Sequence, residues 1–229
     1  VAHKLLFQKE AMQATRDLLP SNKSLIGFVG GPWTLFTYAV QGQHKEPLVE
    51  SKKQMQMFSQ FCSVMTPVLK ANINLQFAGG AEIVMILDTA AGELSPSLYH
   101  RLVIPELEKL ASVFPKKIGY YAKGTSEAHW THRFFHSGLL AGIGMDHRMN
   151  LPYHLGQFAG FVQGNFDQAL MHLEPRLFRE ELMEYLKPFL AMSSEKRAGW
   201  VCGLGHGVLQ HTPEENVRTF VQVVREVFT

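Results

Sequence analysis

The chain has 229 residues, 46% of them apolar, with 22 basic and 20 acidic side chains for a formal charge of +2. That balance suits one folded domain spanning 1–229, and the scattered basic residues exclude a nucleic-acid or acidic-membrane surface. No apolar run nears the ~20 residues of a membrane span, no signal peptide is expected, and two cysteines, Cys62 and Cys202, fit a reducing cytoplasm rather than a disulfide framework.

In chain order, Leu25–Val29 reads as a short buried strand that breaks at Gly30-Gly31-Pro32 into a helix opening with Trp33, Thr34, Thr37 and Tyr38. A long helix is expected after Ser51, with Met55, Met57 and Met65 as core filler. Ile83–Leu87 and Lys117–Tyr121 are the next strands. His129, His132 and His136 follow at helical spacing. Trp130, Phe134 and Phe135 interleave them, so a solvated helix face is expected there and no metal site. Leu140–Met145, Gly160–Gln163 and Trp200–Leu204 complete six strands. Near-continuous apolarity predicts that each is buried on both faces. A helix over Arg176–Leu190 shows an apolar stripe of Phe178, Leu182, Tyr185, Leu186 and Phe189. The last helix starts at Thr212-Pro-Glu-Glu215, a capping-box pattern, and its stripe is read as Val217, Phe220, Val221 and Val224.

No Asn-Gly or Asp-Gly turn joins the strands, and helical pattern fills the gaps, so an α/β fold with a parallel sheet is predicted. An open doubly wound sheet and a closed barrel both satisfy that pattern. A (β/α)8 barrel takes about 250 residues, and six strands fall two short of it. The first residue is Val1 rather than Met, a hint that this end is not the natural start.

In either architecture, chemistry collects where the strands end. Those ends carry Trp33 to Tyr38, Asp88-Thr89, Tyr121-Ala-Lys123-Gly124, Gly144-Met-Asp146, Gln163-Gly-Asn165 and Gly203-Leu-Gly-His206-Gly207. Four of these segments, in order, resemble the uroporphyrinogen decarboxylase family. They are Gly27-Phe-Val-Gly-Gly-Pro-Trp-Thr-Leu-Phe-Thr-Tyr38, Leu87-Asp-Thr-Ala-Ala-Gly92 with Leu94-Ser95-Pro96, Val162-Gln-Gly-Asn-Phe-Asp167, and Leu204-Gly-His-Gly207 with Thr212-Pro-Glu-Glu-Asn216.

The resemblance implies a (β/α)8 barrel, here with about six of eight βα units. It also implies a cytoplasmic homodimer that decarboxylates the four acetate arms of uroporphyrinogen to give coproporphyrinogen, without cofactor or metal. Tyr38 matches the family's active-site tyrosine and His206 its histidine. Thr89 falls on the active-site serine, keeping the hydroxyl and adding a methyl. Asp88, Trp33 and Gly30 join Thr89 in the expected substrate-binding set. Gly31 replaces the usual alanine and Ala90 a bulkier residue, and both are expected to reshape the pocket. The family's Arg-Gln-Ala-Gly-Arg motif and its pyrrole-facing aspartate are absent, as if the chain were its C-terminal part. Asp88 and Asp146 are stand-ins on paper.

Plainer readings stand beside these. His206 would be a loop histidine bonded to backbone, Tyr38 a core residue, Asp88 a cap, and Gly164-Asn165 a tight turn. Two other functions compete with the decarboxylase. One is a non-catalytic fragment that binds a porphyrinogen or a partner chain. The other is a cobalamin-linked methyltransferase, whose zinc ligands would fall on Tyr121, Lys123 and His206.

Overall fold

The computed structural model describes residues 2–43 and 47–228. Its strands are β1 (Ile26–Gly30), β2 (Ile83–Leu87), β3 (Ile118–Tyr121), β4 (Gly142–Gly144), β5 (Phe161–Phe166) and β6 (Trp200–Leu204). The helices are α1 (Leu6–Leu18), α2 (Pro32–Gln41), α3 (Val49–Lys53), α4 (Phe58–Ala78), α5 (Pro96–Ala111), α6 (Glu127–Trp130), α7 (Leu151–His154), α8 (Pro175–Leu190), α9 (Ser194–Arg197) and α10 (Glu214–Phe228).

All five neighbouring strand pairs are parallel, in the spatial order β1-β2-β3-β4-β5-β6. A doubly wound sheet reverses its strand order at a switch point, and this one never does. One cavity is lined by β1 and by the loop after β6, so the sheet curls towards a barrel. Among the described residues β1 and β6 do not pair, and the barrel is not closed.

The sequence explains where each element stops. Pro32 opens α2 with a preset φ, and Gly42, at φ 74°, ends it in the left-handed conformation glycine tolerates. Ser95 caps α5, its hydroxyl accepting the Leu98 N–H at 3.4 Å, with Pro96 at the first helical position. The main core lies between the sheet and α2, α4 and α5, and includes Val84, Ile86, Ile73, Val103 and Leu107. A second core holds Phe166 of β5 against Phe178, Leu182 and Leu186 of α8 and Val223 of α10.

Four expectations are corrected. Strands β1 and β6 are not buried on both faces: Phe28 is 66% exposed, because its side chain lines the open interior of the curled sheet, and on β6 Val201 is exposed and no residue is fully buried. Val221 is exposed, and the stripe of α10 runs through Val217, Phe220, Val223 and Val224. Met57 is exposed on a 3₁₀ turn, while Met55 and Met65 pack on the core. The three histidines share no solvated helix face, since α6 ends at Trp130 and a 3₁₀ turn spans Arg133–His136. His129 is buried, its Nδ1 accepting the Ser126 N–H at 3.0 Å and its Nε2 lying 3.0 Å from the Leu94 carbonyl.

The outer edge of β1 is covered by a side chain. Gln76 of α4 accepts the Phe28 N–H at 2.9 Å and donates to the Phe28 carbonyl at 2.8 Å, as a neighbouring strand would. Gly27 makes room, since a Cβ there would stand 2.1 Å from Gln76 Oε1. An uncovered strand edge is a template for pairing with another chain. Gln76→Ala is therefore expected to raise self-association, read as a concentration-dependent rise in sedimentation coefficient relative to the parent chain. Identical sedimentation of the two would count against an edge-sealing role for Gln76.

Candidate active site

The curled sheet encloses a cavity of about 600 Å³ at the C-terminal ends of the strands, within the usual range for small-molecule sites. Ile26 and Phe28 of β1, Met85 and Leu87 of β2, Met145 and Leu204 form its apolar wall. Its polar side chains are Thr89, Tyr121, Gln163 and His206. Among the described residues no lysine or arginine lines it.

Glycines decide how the interior fills. A Cβ on Gly119 would lie 2.2 Å from Met85 Sδ, and one on Gly142 2.4 Å from Phe161 Cγ. Gly144 likewise leaves the space over β4 to the ring of Tyr121, whose Cδ2 would be 2.9 Å from an added Cβ. The neighbours of β3 and β4 therefore lie across them, and Tyr121 reaches over β4 to the loop after β6. Its hydroxyl donates to the Gly205 carbonyl at 2.7 Å and stands 3.2 Å from His206 Nδ1. The two rings stack with centroids 6.0 Å apart. Burial raises the Tyr121 phenol well above its ordinary pKa, so it stays a hydroxyl.

Of the residues singled out from the sequence, His206 and Thr89 line the cavity together. Tyr38 sits on α2 with 48% of its surface exposed, outside the cavity wall. Trp33 is fully buried and packs against Phe36 and Phe58, each with ring centroids 5.4 Å away. Gly30 ends β1, where an added Cβ would meet Leu35 Cδ2 at 2.8 Å.

Asp88 is fully buried and faces the start of α2. Its Oδ1 accepts the Thr34 N–H and the Thr34 hydroxyl, each at 2.7 Å, and its Oδ2 the Trp33 N–H at 3.4 Å. The carboxylate thus caps a helix whose own cap position, Gly31, has no side chain. Burial pushes its pKa up to about 6, against the lowering effect of these donors. A Cβ on Gly31 would fall 2.3 Å from Asp88 Cβ, and Ala90 is buried with its N–H donating to Thr34 Oγ1 at 2.9 Å. These two departures act on packing around Asp88 rather than on the cavity wall.

Asp146 is also engaged: its carboxylate accepts the Gly124 N–H at 2.6 Å and the Arg148 N–H at 3.0 Å, tying together the loops after β3 and β4. Asn165 lies within β5, not in a turn, and its amide donates to the carbonyls of Asp146 and Met149 at 2.8 and 2.7 Å. Burial, reinforced at Cys62 by the charge of Glu106, pushes both cysteine thiols up to about 12, so neither is a thiolate nucleophile near neutrality. Among the described residues no three His, Cys, Asp or Glu side chains converge as a metal site would require. The role of Tyr121 was missed from the sequence. Its signal was the two-residue glycine period on β4, Gly142 and Gly144, which opens space beside a lumen-facing aromatic.

The arrangement matches a known family. The family model described as uroporphyrinogen decarboxylase (URO-D) matches residues 1–227. The chain belongs to the uroporphyrinogen decarboxylase family. A uroporphyrinogen decarboxylase of Coxiella burnetii is 29% identical over 98% of this chain and 64% of that protein. One of Thermus thermophilus is 30% identical over 89% of this chain and 60% of that protein. The chain thus spans less than two thirds of the length of these relatives. Among solved structures, a methyltransferase from Methanosarcina mazei superposes with a TM-score of 0.76 at 19% identity, over 97% of this chain and 64% of that one. At that identity the likeness speaks to the fold, which is barrel-like in both.

Proposed function

We propose that the chain forms the substrate-holding part of a uroporphyrinogen decarboxylase, which converts uroporphyrinogen to coproporphyrinogen by removing the carboxyl groups of four acetate arms. The supporting observation is that His206 and Thr89, distant in sequence, face one cavity at the strand ends of a chain in this family. In each step the C–C bond to the carboxyl group breaks, CO2 leaves, and the bonding pair moves into a protonated pyrrole ring. The methylene carbon then takes a proton and becomes a methyl, and the ring releases the proton it had gained, restoring the neutral pyrrole. The substrate ring is its own electron sink, so the protein's task is to orient the arm and stabilise developing charge.

Thr89 and His206 orient the reacting arm, one through its hydroxyl and one through its imidazole. Tyr38, on the β1 side, offers a hydroxyl to arms that extend beyond the cavity. Asp88, Trp33 and Gly30 act at one remove: Asp88 caps α2, Trp33 anchors that helix in the core, and Gly30 admits Leu35. With no lysine or arginine in the cavity wall among the described residues, the substrate's remaining carboxylates need arginines from βα units that the family resemblance places ahead of residue 1. A cytoplasmic homodimer belongs to the same reading.

That lack of a cation favours one rival, a porphyrinogen-binding or partner-binding protein without turnover. Methyl transfer is the weaker rival, because Tyr121 and Lys123 are not a zinc donor pair. The test is anaerobic assay of coproporphyrinogen formation by this chain fused behind those βα units. His206→Asn and Thr89→Ala are expected to lower turnover about a hundredfold to a thousandfold each, as loss of one positioned donor does. Full activity in both variants would overturn the assignment, and substrate binding without turnover by the parent fusion would favour the binding protein.

A further inference from the structure

We infer that Tyr121 is a positioning residue that fixes the tautomer of His206, holding the neutral imidazole with its proton on Nδ1 and its lone pair on Nε2.

Proton counting carries the inference. The Tyr121 hydroxyl has one hydrogen and two neighbours, the Gly205 carbonyl at 2.7 Å and His206 Nδ1 at 3.2 Å. A carbonyl oxygen can only accept, and it is the closer of the two, so the phenol hydrogen goes to Gly205. What faces Nδ1 is then a phenol lone pair, and a bond forms only if Nδ1 brings a hydrogen. With one proton on the neutral ring, Nε2 is left as the acceptor. Free histidine prefers the opposite tautomer, so the arrangement imposes a state the side chain would not choose.

The geometry that permits this is built into the sheet. Gly144 leaves the ring of Tyr121 room to cross β4, and a side chain there would push it off the loop after β6. Gly205 is itself locked: its N–H donates to the Phe166 carbonyl at 2.7 Å, and a Cβ on it would stand 2.5 Å from the His147 nitrogen. The carbonyl that claims the phenol hydrogen is therefore held by the end of β5, and the two ring planes lie 10° from parallel.

The consequence rests on the decarboxylase reading of the cavity. A substrate group meeting His206 through Nε2 must donate to the neutral ring, as a pyrrole N–H or a carboxylic acid can. A carboxylate is held there only by the charged ring. Tyr121 thereby decides which substrate groups His206 can recognise.

The test needs no substrate, so it can fail or succeed apart from that reading. Histidine-selective 15N labelling of the chain and a long-range 1H–15N correlation spectrum, recorded where the ring is neutral, report the two ring nitrogens of His206. His206→Asn assigns the signals by their loss. The parent chain is expected to show a protonated Nδ1 and an unprotonated Nε2, and Tyr121→Phe, which keeps the ring but not the lone pair, is expected to lose that pattern. A parent spectrum with the proton on Nε2 overturns the inference whether or not the variant folds. A folded Tyr121→Phe chain with the pattern unchanged overturns it as well.

Discussion

The 229-residue chain, given uroporphyrinogen under anaerobic conditions, is expected to form coproporphyrinogen at least about a thousandfold more slowly than a polypeptide that also supplies the two βα units the family resemblance places ahead of it. Three observations set the size of that effect. The cavity wall has neutral polar side chains at Thr89, Tyr121 and Gln163 and a histidine, but among the described residues no arginine or lysine to hold the substrate's carboxylates. The two aspartates nearest the strand ends are occupied, Asp88 as the cap of α2 and Asp146 as a tie between loops, so neither faces the pyrrole nitrogens. Among the described residues β1 and β6 do not pair, which leaves water beside any bound arm and weakens every electrostatic contact there. Positioning and charge stabilisation supply most of the rate in such sites, and losses of several donors at once amount to orders of magnitude. Closing the barrel also requires Gln76 to withdraw from Phe28, because an added strand needs the same N–H and carbonyl. Product appearance by chromatography of the oxidised porphyrins reads the result. Turnover by the 229-residue chain within tenfold of the extended polypeptide would show that residues already present do the chemistry.

The strands were legible because each is a short apolar run closed by a glycine or polar turn, and two of them, Ile83–Leu87 and Trp200–Leu204, have the boundaries read from the sequence. The order of the sheet was not legible, since apolar runs carry no record of which neighbour they choose. Helix α1 was missed. Its inward positions are mixed, with Gln8 and Arg16 beside Met12, and Leu6, Phe7 and Leu18 are exposed on it. The site was half legible. His206 stood out between two glycines at a strand end, and Thr89 through its place beside Asp88. The direction in which Asp88 points depends on a one-residue alternation at the end of β2, where Leu87 and Thr89 face the cavity and Asp88 faces α2. Burial of that carboxylate is a property of three elements packed together, and no local motif announces it.

Asp88 supplies the second large effect, on stability against pH. In the unfolded chain its carboxyl titrates near the ordinary value of about 3.9. In the fold, burial raises it to about 6. Between those values the folded chain holds a proton that the unfolded chain has released, so stability falls as pH rises. A shift of roughly two units corresponds to about 3 kcal/mol, present in full below pH ~4 and lost by pH ~6. Asp88→Asn removes this dependence. Its amide oxygen can still accept from Thr34, while the long 3.4 Å bond from Trp33 and the contact with the Tyr120 hydroxyl lose their acceptor. The variant is therefore expected to fold, to match or exceed the parent chain at pH 7, and to show a flatter urea midpoint between pH 4 and 6. Asp88→Leu leaves the Thr34 hydroxyl and two buried N–H groups of α2 without this acceptor, and is expected to be destabilised at every pH by about 2–4 kcal/mol. Urea titrations of the three chains across that range decide the matter. A parent chain whose Asp88-dependent stability rises with pH would mean that the hydrogen-bond donors around it outweigh burial, and that the carboxylate is charged in the folded core.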